Sequence, residues 1–227
     1  MADLVLPAPP QPVAPVEGGG LFPVRRIFCV GRNYGAHVRE MGGSEGEQPP
    51  IFFTKPADAV SAGGADVPYP PATNDLHHEI ELVVALRSGG RDLDPSRALA
   101  CVFGYAAGVD LTRRDLQGLA KKAAQPWDAA KAFDHSAPLG LIRRAEGAAP
   151  PQGAIRLCVD GAVRQDAQLS DMIWGVPAIL AEASKLWELK AGDLVFTGTP
   201  EGVGPIARGQ RVEGAVADLP PVTFRVG

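Results

Sequence analysis

The sequence predicts an α+β fold that is mainly β, on two observations. Eight short apolar or β-branched runs, at 27–30, 51–54, 79–86, 101–109, 155–159, 162–165, 194–197 and 222–226, read as strands. Only three stretches, at 34–41, 112–123 and 170–186, read as helices. Strands in excess with helices outside them describe a β-rich roll. The chain can fill such a core, with 227 residues, 45% of them hydrophobic and 21% charged. At this mass, roughly 70% of the surface exposed by the unfolded chain is buried on folding. Pro7, Pro9, Pro10, Pro12 and Pro15, followed by Gly18, Gly19 and Gly20, remove backbone donors and loosen the chain. Residues 1–20 therefore read as an extended arm, and 21–227 as a single domain.

Each element has a local reason. The run 79–86 reads E-I-E-L-V-V-A-L, apolar enough for a buried strand, and 101–109 is a second candidate interrupted by Gly104 and Gly108. Asp160-Gly161 joins 155–159 to 162–165 as a hairpin, because Asp-Gly accepts the positive φ of a type I′ turn. The helix over 112–123 opens with Thr112 and has Asp115 three residues on, a capping-box-like start. Ser170 is the expected cap of the helix over 170–186, and Pro177, lacking an amide donor, should split or kink it.

Composition excludes several classes. With 22 Lys+Arg against 26 Asp+Glu the formal net charge is −4, so no global basic field invites nucleic acid. The longest apolar stretch, 98–109, is uncharged for 12 residues, short of the ~20 that cross a bilayer. The N-terminus has neither the basic nor the long apolar segment of a secretory signal, so a cytoplasmic protein is expected. Cys29, Cys101 and Cys158 are odd in number, far apart and set in apolar runs. They read as reduced, buried thiols, not as zinc ligands.

Three clusters carry chemistry. In His77-His78-Glu79-Ile80-Glu81-Leu82, residues two apart on a strand share a face, so Glu79 and Glu81 project side by side while Ile80, Leu82, Val84 and Leu86 fill the other face. Such carboxylates repel unless a cation or proton lies between them. Asp110 ends another apolar run, and oxygen-only ligands suit Mg²⁺ or Mn²⁺. The plainer alternatives are an exposed edge strand carrying two glutamates and a helix-capping Asp110. His77 and His78 point to opposite faces and are poor joint zinc ligands. In the second cluster, 31–40, His37 and Glu40 share a helix face, either as a surface contact or as a carboxylate-oriented general base. The third, 196–204, is Gly-rich and follows a strand, but lacks a P-loop's Lys-Ser/Thr ending and so reads as an anion-approachable loop or a plain turn. Lys55 and Lys131 adjoin apolar runs and are either carboxylate holders or surface lysines. No G-x-S-x-G elbow is present.

In order along the chain stand G-R-N-Y-x-x-H-x-x-E, F-x-K-P, H-H-E-I-E-L, G-V-D-L-T-R-R-D-L-Q, P-W-D-x-A-K-x-F-D and F-T-G-T-P-x-G-V-G. This series resembles the fumarylacetoacetate hydrolase superfamily from about Leu21 to the C-terminus, and within it the fumarylpyruvate hydrolases and related acylpyruvases. The resemblance implies a mixed β-sandwich roll, a homodimer, and a single catalytic domain with Mg²⁺ or Mn²⁺ on Glu79, Glu81 and Asp110. It implies His37 and Glu40 as a water-activating pair on a short lid helix, and catalytic help from Lys131. Arg32, Lys55, Gln117, Gly198 and Thr199 fall at or beside its substrate-binding positions. The implied reaction is cleavage of a C–C bond in a small 2,4-diketo acid, best matched by fumarylpyruvate, in aromatic-compound catabolism. Oxaloacetate decarboxylation, oxoacid isomerisation or hydration, and oxoacid binding without turnover are the rival expectations.

Overall fold

The computed structural model describes residues 4–40, 42, 49–62, 64–145, 147 and 149–227. Its centre is a mixed eight-stranded sheet that runs, in spatial order, Ile51–Lys55, Arg26–Gly31, Asp193–Phe196, Ile80–Leu86, Val102–Val109, Ala137–Leu139 and Val60–Ala62, with Arg143–Arg144 also paired to Val102–Val109. Asp193–Phe196 lies parallel to Arg26–Gly31, and Ala137–Leu139 lies parallel to Val60–Ala62. A second, antiparallel sheet of four strands runs Ala162–Gln168, Ala154–Val159, Arg211–Val216 and Val222–Arg225. The expected mainly-β fold is thus formed, with few helices.

Alternation along Ile80–Leu86 divides the interior. Every residue of this strand is buried. Ile80, Leu82, Val84 and Leu86 join a core shared with Ile155, Leu157, Val212 and Val216 of the second sheet, and with Ile179 and Leu180 of the helix Val176–Leu186. Val83 and Ala85 face a second core with Leu194, Phe196, Phe22 and Ala14. The strand therefore lies inside the sheet and is not an exposed edge.

Several local expectations are revised. Val13–Pro15 of the expected arm pairs antiparallel with Leu21–Pro23, Ala14 and Val16 are buried, and Val16 bridges to Ile142. The prolines sit in an edge pair that needs few donors, so the segment is a hairpin closing the second core, and residues 4–11 before it are exposed throughout. Thr112 does not cap a helix. Thr112–Arg113 forms a short strand on Leu76–His78, the helix runs Arg114–Lys122, and the Asp115 carboxylate accepts from the Thr73 hydroxyl at 2.7 Å. The helix expected over 170–186 is a 3₁₀ turn at Leu169–Asp171, an extended break, and then Val176–Leu186. Pro177 falls in that helix's first turn, where no donor is lost, so it starts the helix instead of kinking it. At the expected hairpin, Asp160 and Gly161 both have positive φ, 50° and 78°, as a type I′ turn requires. Cys29 and Cys101 are buried and Cys158 is half-buried, all three free. No helix among the described residues is long and apolar enough to cross a membrane.

Leu82 is completely buried in the middle of the central strand. Leu82→Ala should cost about 2–5 kcal/mol, read as a lower urea midpoint with an unchanged m-value.

Candidate active site

Strand register builds the site. In the antiparallel pair, Ile80 is opposite Val109 and Glu81 is opposite Gly108. Continuing by one step places Glu79 beside Asp110, and the Asp110 amide donates to the Glu79 carbonyl at 2.8 Å. Residues directly opposite on such a ladder point to the same face, as do residues two apart on one strand. Glu79, Glu81 and Asp110 therefore share a face at one end of the pair. One carboxylate oxygen from each lies within 4.8 Å of the others, and all three residues are buried.

Buried cations answer most of this charge. Lys131, ending the short helix Asp128–Lys131, places Nζ 2.8 Å from Glu79 Oε2, 2.6 Å from Asp110 Oδ2 and 2.6 Å from the Thr112 hydroxyl. Arg114 pairs with the other oxygen of Glu79. Lys55 Nζ lies 2.8 Å from Asp110 Oδ1. Burial raises the Glu79 pKa, but Lys131 and Arg114 together outweigh it and hold the carboxyl below its ordinary range. Burial likewise opposes the Lys131 charge, and Asp110 and Glu79 reverse the effect, raising its pKa. Glu81 is different. Burial first, then the charges of Asp110 and Glu79, push its carboxyl well up, against only a 2.7 Å bond from the Gly198 amide and the more distant Lys131. A carboxylate held so close to two others lacks a cation, and the buried, all-oxygen donor set fits a hard divalent ion.

The helix Gly35–Glu40 brings His37 to the same cavity. His37 Nδ1 lies 3.1 Å from Glu40 Oε2. The Gly202 amide donates to Glu40 at 3.1 Å, tying the helix to the loop at 196–204. Of the pair, His37 is buried and lines the cavity, and Glu40 holds it from the exposed side. Because Nδ1 is engaged by the carboxylate, Nε2 is the ring nitrogen left for chemistry.

Arg32, Gln117, Thr199, His37 and Lys131 line one cavity with Glu79 and Glu81. Gly198 contributes through its backbone, by the bond to Glu81. Lys55 is the exception. It does not line this cavity; its side chain is fully buried behind Asp110 and also donates to the carbonyls of Leu111 and Lys131. In this position its charge balances Asp110. His77 bonds to Asp75 and His78 to Gln165, which keeps the two imidazoles apart, as the strand alternation required.

Two positioning residues were not anticipated. Asn33 is buried; its amide donates to the carbonyls of Thr197 and Trp174 while its oxygen accepts from the Trp174 amide. Gln165 accepts from the Ile80 amide and donates to the Thr199 hydroxyl at 2.8 Å and the Pro200 carbonyl at 2.9 Å. Asn33 lies inside the G-R-N-Y motif, where a signal existed. Gln165 lies in a polar strand that presented none.

The fumarylacetoacetate hydrolase C-terminal family model matches residues 26–227. Among curated proteins, the oxaloacetate tautomerase YcgM of Escherichia coli K12 is 42% identical over 193 residues, 84% of this chain and 88% of that protein. A fumarylpyruvate hydrolase from Ralstonia is 39% identical over 177 residues, 78% of this chain and 92% of that protein. The crystal structure of fumarylpyruvate hydrolase from Pseudomonas aeruginosa in complex with Mn²⁺ and pyruvate matches with a TM-score of 0.96 at 44% identity, covering 99% of each chain.

Gly198 has φ +96°, and a Cβ there would lie 2.7 Å from Cβ of Asn33. Gly198→Ala should displace the amide that holds Glu81, weakening Mn²⁺ binding by about tenfold or more, since a lost bond to a charged group is worth ~1.5–3 kcal/mol. Calorimetric titration with Mn²⁺ measures this.

Proposed function

The chain belongs to the fumarylacetoacetate hydrolase family, and on that premise we propose that it hydrolyses the C3–C4 bond of a 2,4-diketo acid, with fumarylpyruvate the favoured substrate. The observation that carries the reading is the buried trio Glu79, Glu81 and Asp110, of which Glu79 and Glu81 line one cavity with His37, whose Nδ1 is held by Glu40. The match to the P. aeruginosa hydrolase over 99% of both chains supports the choice of substrate.

Glu79, Glu81 and Asp110 would hold Mg²⁺ or Mn²⁺, which when bound supplies Lewis-acid stabilisation of negative charge on the oxoacid oxygens. Gln117 and Thr199 would orient the oxoacid end of the substrate, and Lys131 places a fixed positive charge beside it. His37 takes a proton from water at Nε2, and Glu40 stabilises the imidazolium through Nδ1. The hydroxide attacks the C4 carbonyl. The C3–C4 bond then breaks, its electron pair leaving on the pyruvate enolate, whose charge Lys131 helps to stabilise. Protonation at C3 gives pyruvate; the other product is fumarate. The helix Gly35–Glu40, linked to Gly202 through Glu40, covers this step from the side of the 196–204 loop.

The E. coli relative, at 42% identity, favours a second reading, oxaloacetate tautomerisation. That reaction shifts a proton between carbon and oxygen and consumes no water. Loss of diketo-enol absorbance with stoichiometric release of pyruvate and fumarate supports hydrolysis. Enol–keto exchange of oxaloacetate without diketo-acid cleavage would replace it.

Glu81→Gln removes one ionised ligand with little change of shape. It should abolish metal-stimulated turnover while leaving the thermal unfolding transition in place; full activity after treatment with EDTA would remove the trio from the mechanism. His37→Ala should lower kcat by about 10²–10⁴-fold and retain Mn²⁺ and oxalate binding. Undiminished turnover in that variant would require another base.

A further inference from the structure

Resting on that reading of the site, we propose that Arg32 and Lys121 form a clamp for a second carboxylate at the far end of the substrate, which makes the enzyme selective for oxoacids with two acid groups. Arg114, Gln117 and Lys121 stand at i, i+3 and i+7 on the helix Arg114–Lys122, the spacing of one helix face, and all three line the cavity. Arg32 reaches it from the loop after the strand Arg26–Gly31, with its backbone held at φ 60°.

The cations around the cavity fall into two groups. Lys131 and Arg114 are bonded to the carboxylates of Glu79 and Asp110. Arg32 and Lys121 form no ion pair with any described carboxylate. The Lys121 ammonium instead lies 5.4 Å from the Trp127 ring centre. Lys121 is exposed, yet partial desolvation, then the charges of Arg114 and Arg32, pull its pKa below that of an ordinary lysine, against the opposing charge of Glu79. Arg32 and Lys121 are both exposed, so water screens much of their repulsion and leaves both heads open to a ligand; a carboxylate between them pairs with two cations at once. Phe53, Trp127 and Val30 line the same cavity and offer an apolar wall for the carbon chain linking the two acid ends.

The test compares fumarylpyruvate with acetylpyruvate, which lacks the distal acid, in the wild type, Lys121→Met, Arg32→Met and Lys121→Arg. Each methionine variant should lower the ratio of the two kcat/KM values by about tenfold, mainly through the KM for fumarylpyruvate, and Lys121→Arg should restore most of the ratio. Equal losses on both substrates, or an unaltered ratio, would overturn the clamp. A binding measurement separates this outcome from failure of the hydrolase reading. With Mn²⁺ present, calorimetry compares 2-oxoheptanedioate with 2-oxoheptanoate, acids of equal chain length. A preference for the diacid of about tenfold that Lys121→Met removes, in a protein that cleaves no diketo acid, keeps the clamp and discards the hydrolase. Diketo-acid cleavage with no diacid preference does the reverse.

Discussion

The antiparallel pairing of Ile80–Leu86 with Val102–Val109 is the constraint on which the site depends. Glu79 and Asp110 meet only because that ladder, continued by one residue, places them side by side. A slip of one residue would turn Glu81 and Val83 toward the core shared with the second sheet, and Ile80 and Leu82 toward the cavity. The buried faces of the strand forbid this, since each must match a different core. Hydrophobic packing on both sides of one strand thus fixes the position of three acids at its end.

Placing three carboxylates in a buried cluster is costly unless cations answer them. Lys131, Arg114 and Lys55 do so at Glu79 and Asp110. Glu81 is left with a backbone amide as its only hydrogen-bond donor among the described residues. The electrostatic imbalance is therefore local, and it lies on the carboxylate that most needs a further cation. Of the two inner lysines, Lys131 lines the cavity, whereas Lys55 balances Asp110 from behind.

Three polar residues set the geometry of the walls. Asn33 joins the G-R-N-Y loop to Thr197 and Trp174, Gln165 joins the second sheet to Thr199, and Glu40 joins the short helix to Gly202. All converge on the segment 196–204. A segment read from sequence as a glycine-rich turn is consequently held at both ends and in the middle, which is what an oriented substrate requires.

The strand E-I-E-L-V-V-A-L, the shared face of Glu79 and Glu81, the separation of His77 from His78 and the pairing of His37 with Glu40 were legible in the residue order alone, because each follows from periodicities of two or about four residues. The residue order also carried the family resemblance that joined Asp110 to the pair. It did not reveal that Lys55 turns behind Asp110, that Pro177 opens a helix, that residues 13–15 pair into a hairpin, or that Gln165 braces Thr199. Those outcomes depend on which distant backbone lies opposite. They emerge on folding, since strand register and the burial of charge are set by contacts between segments that the local pattern does not connect.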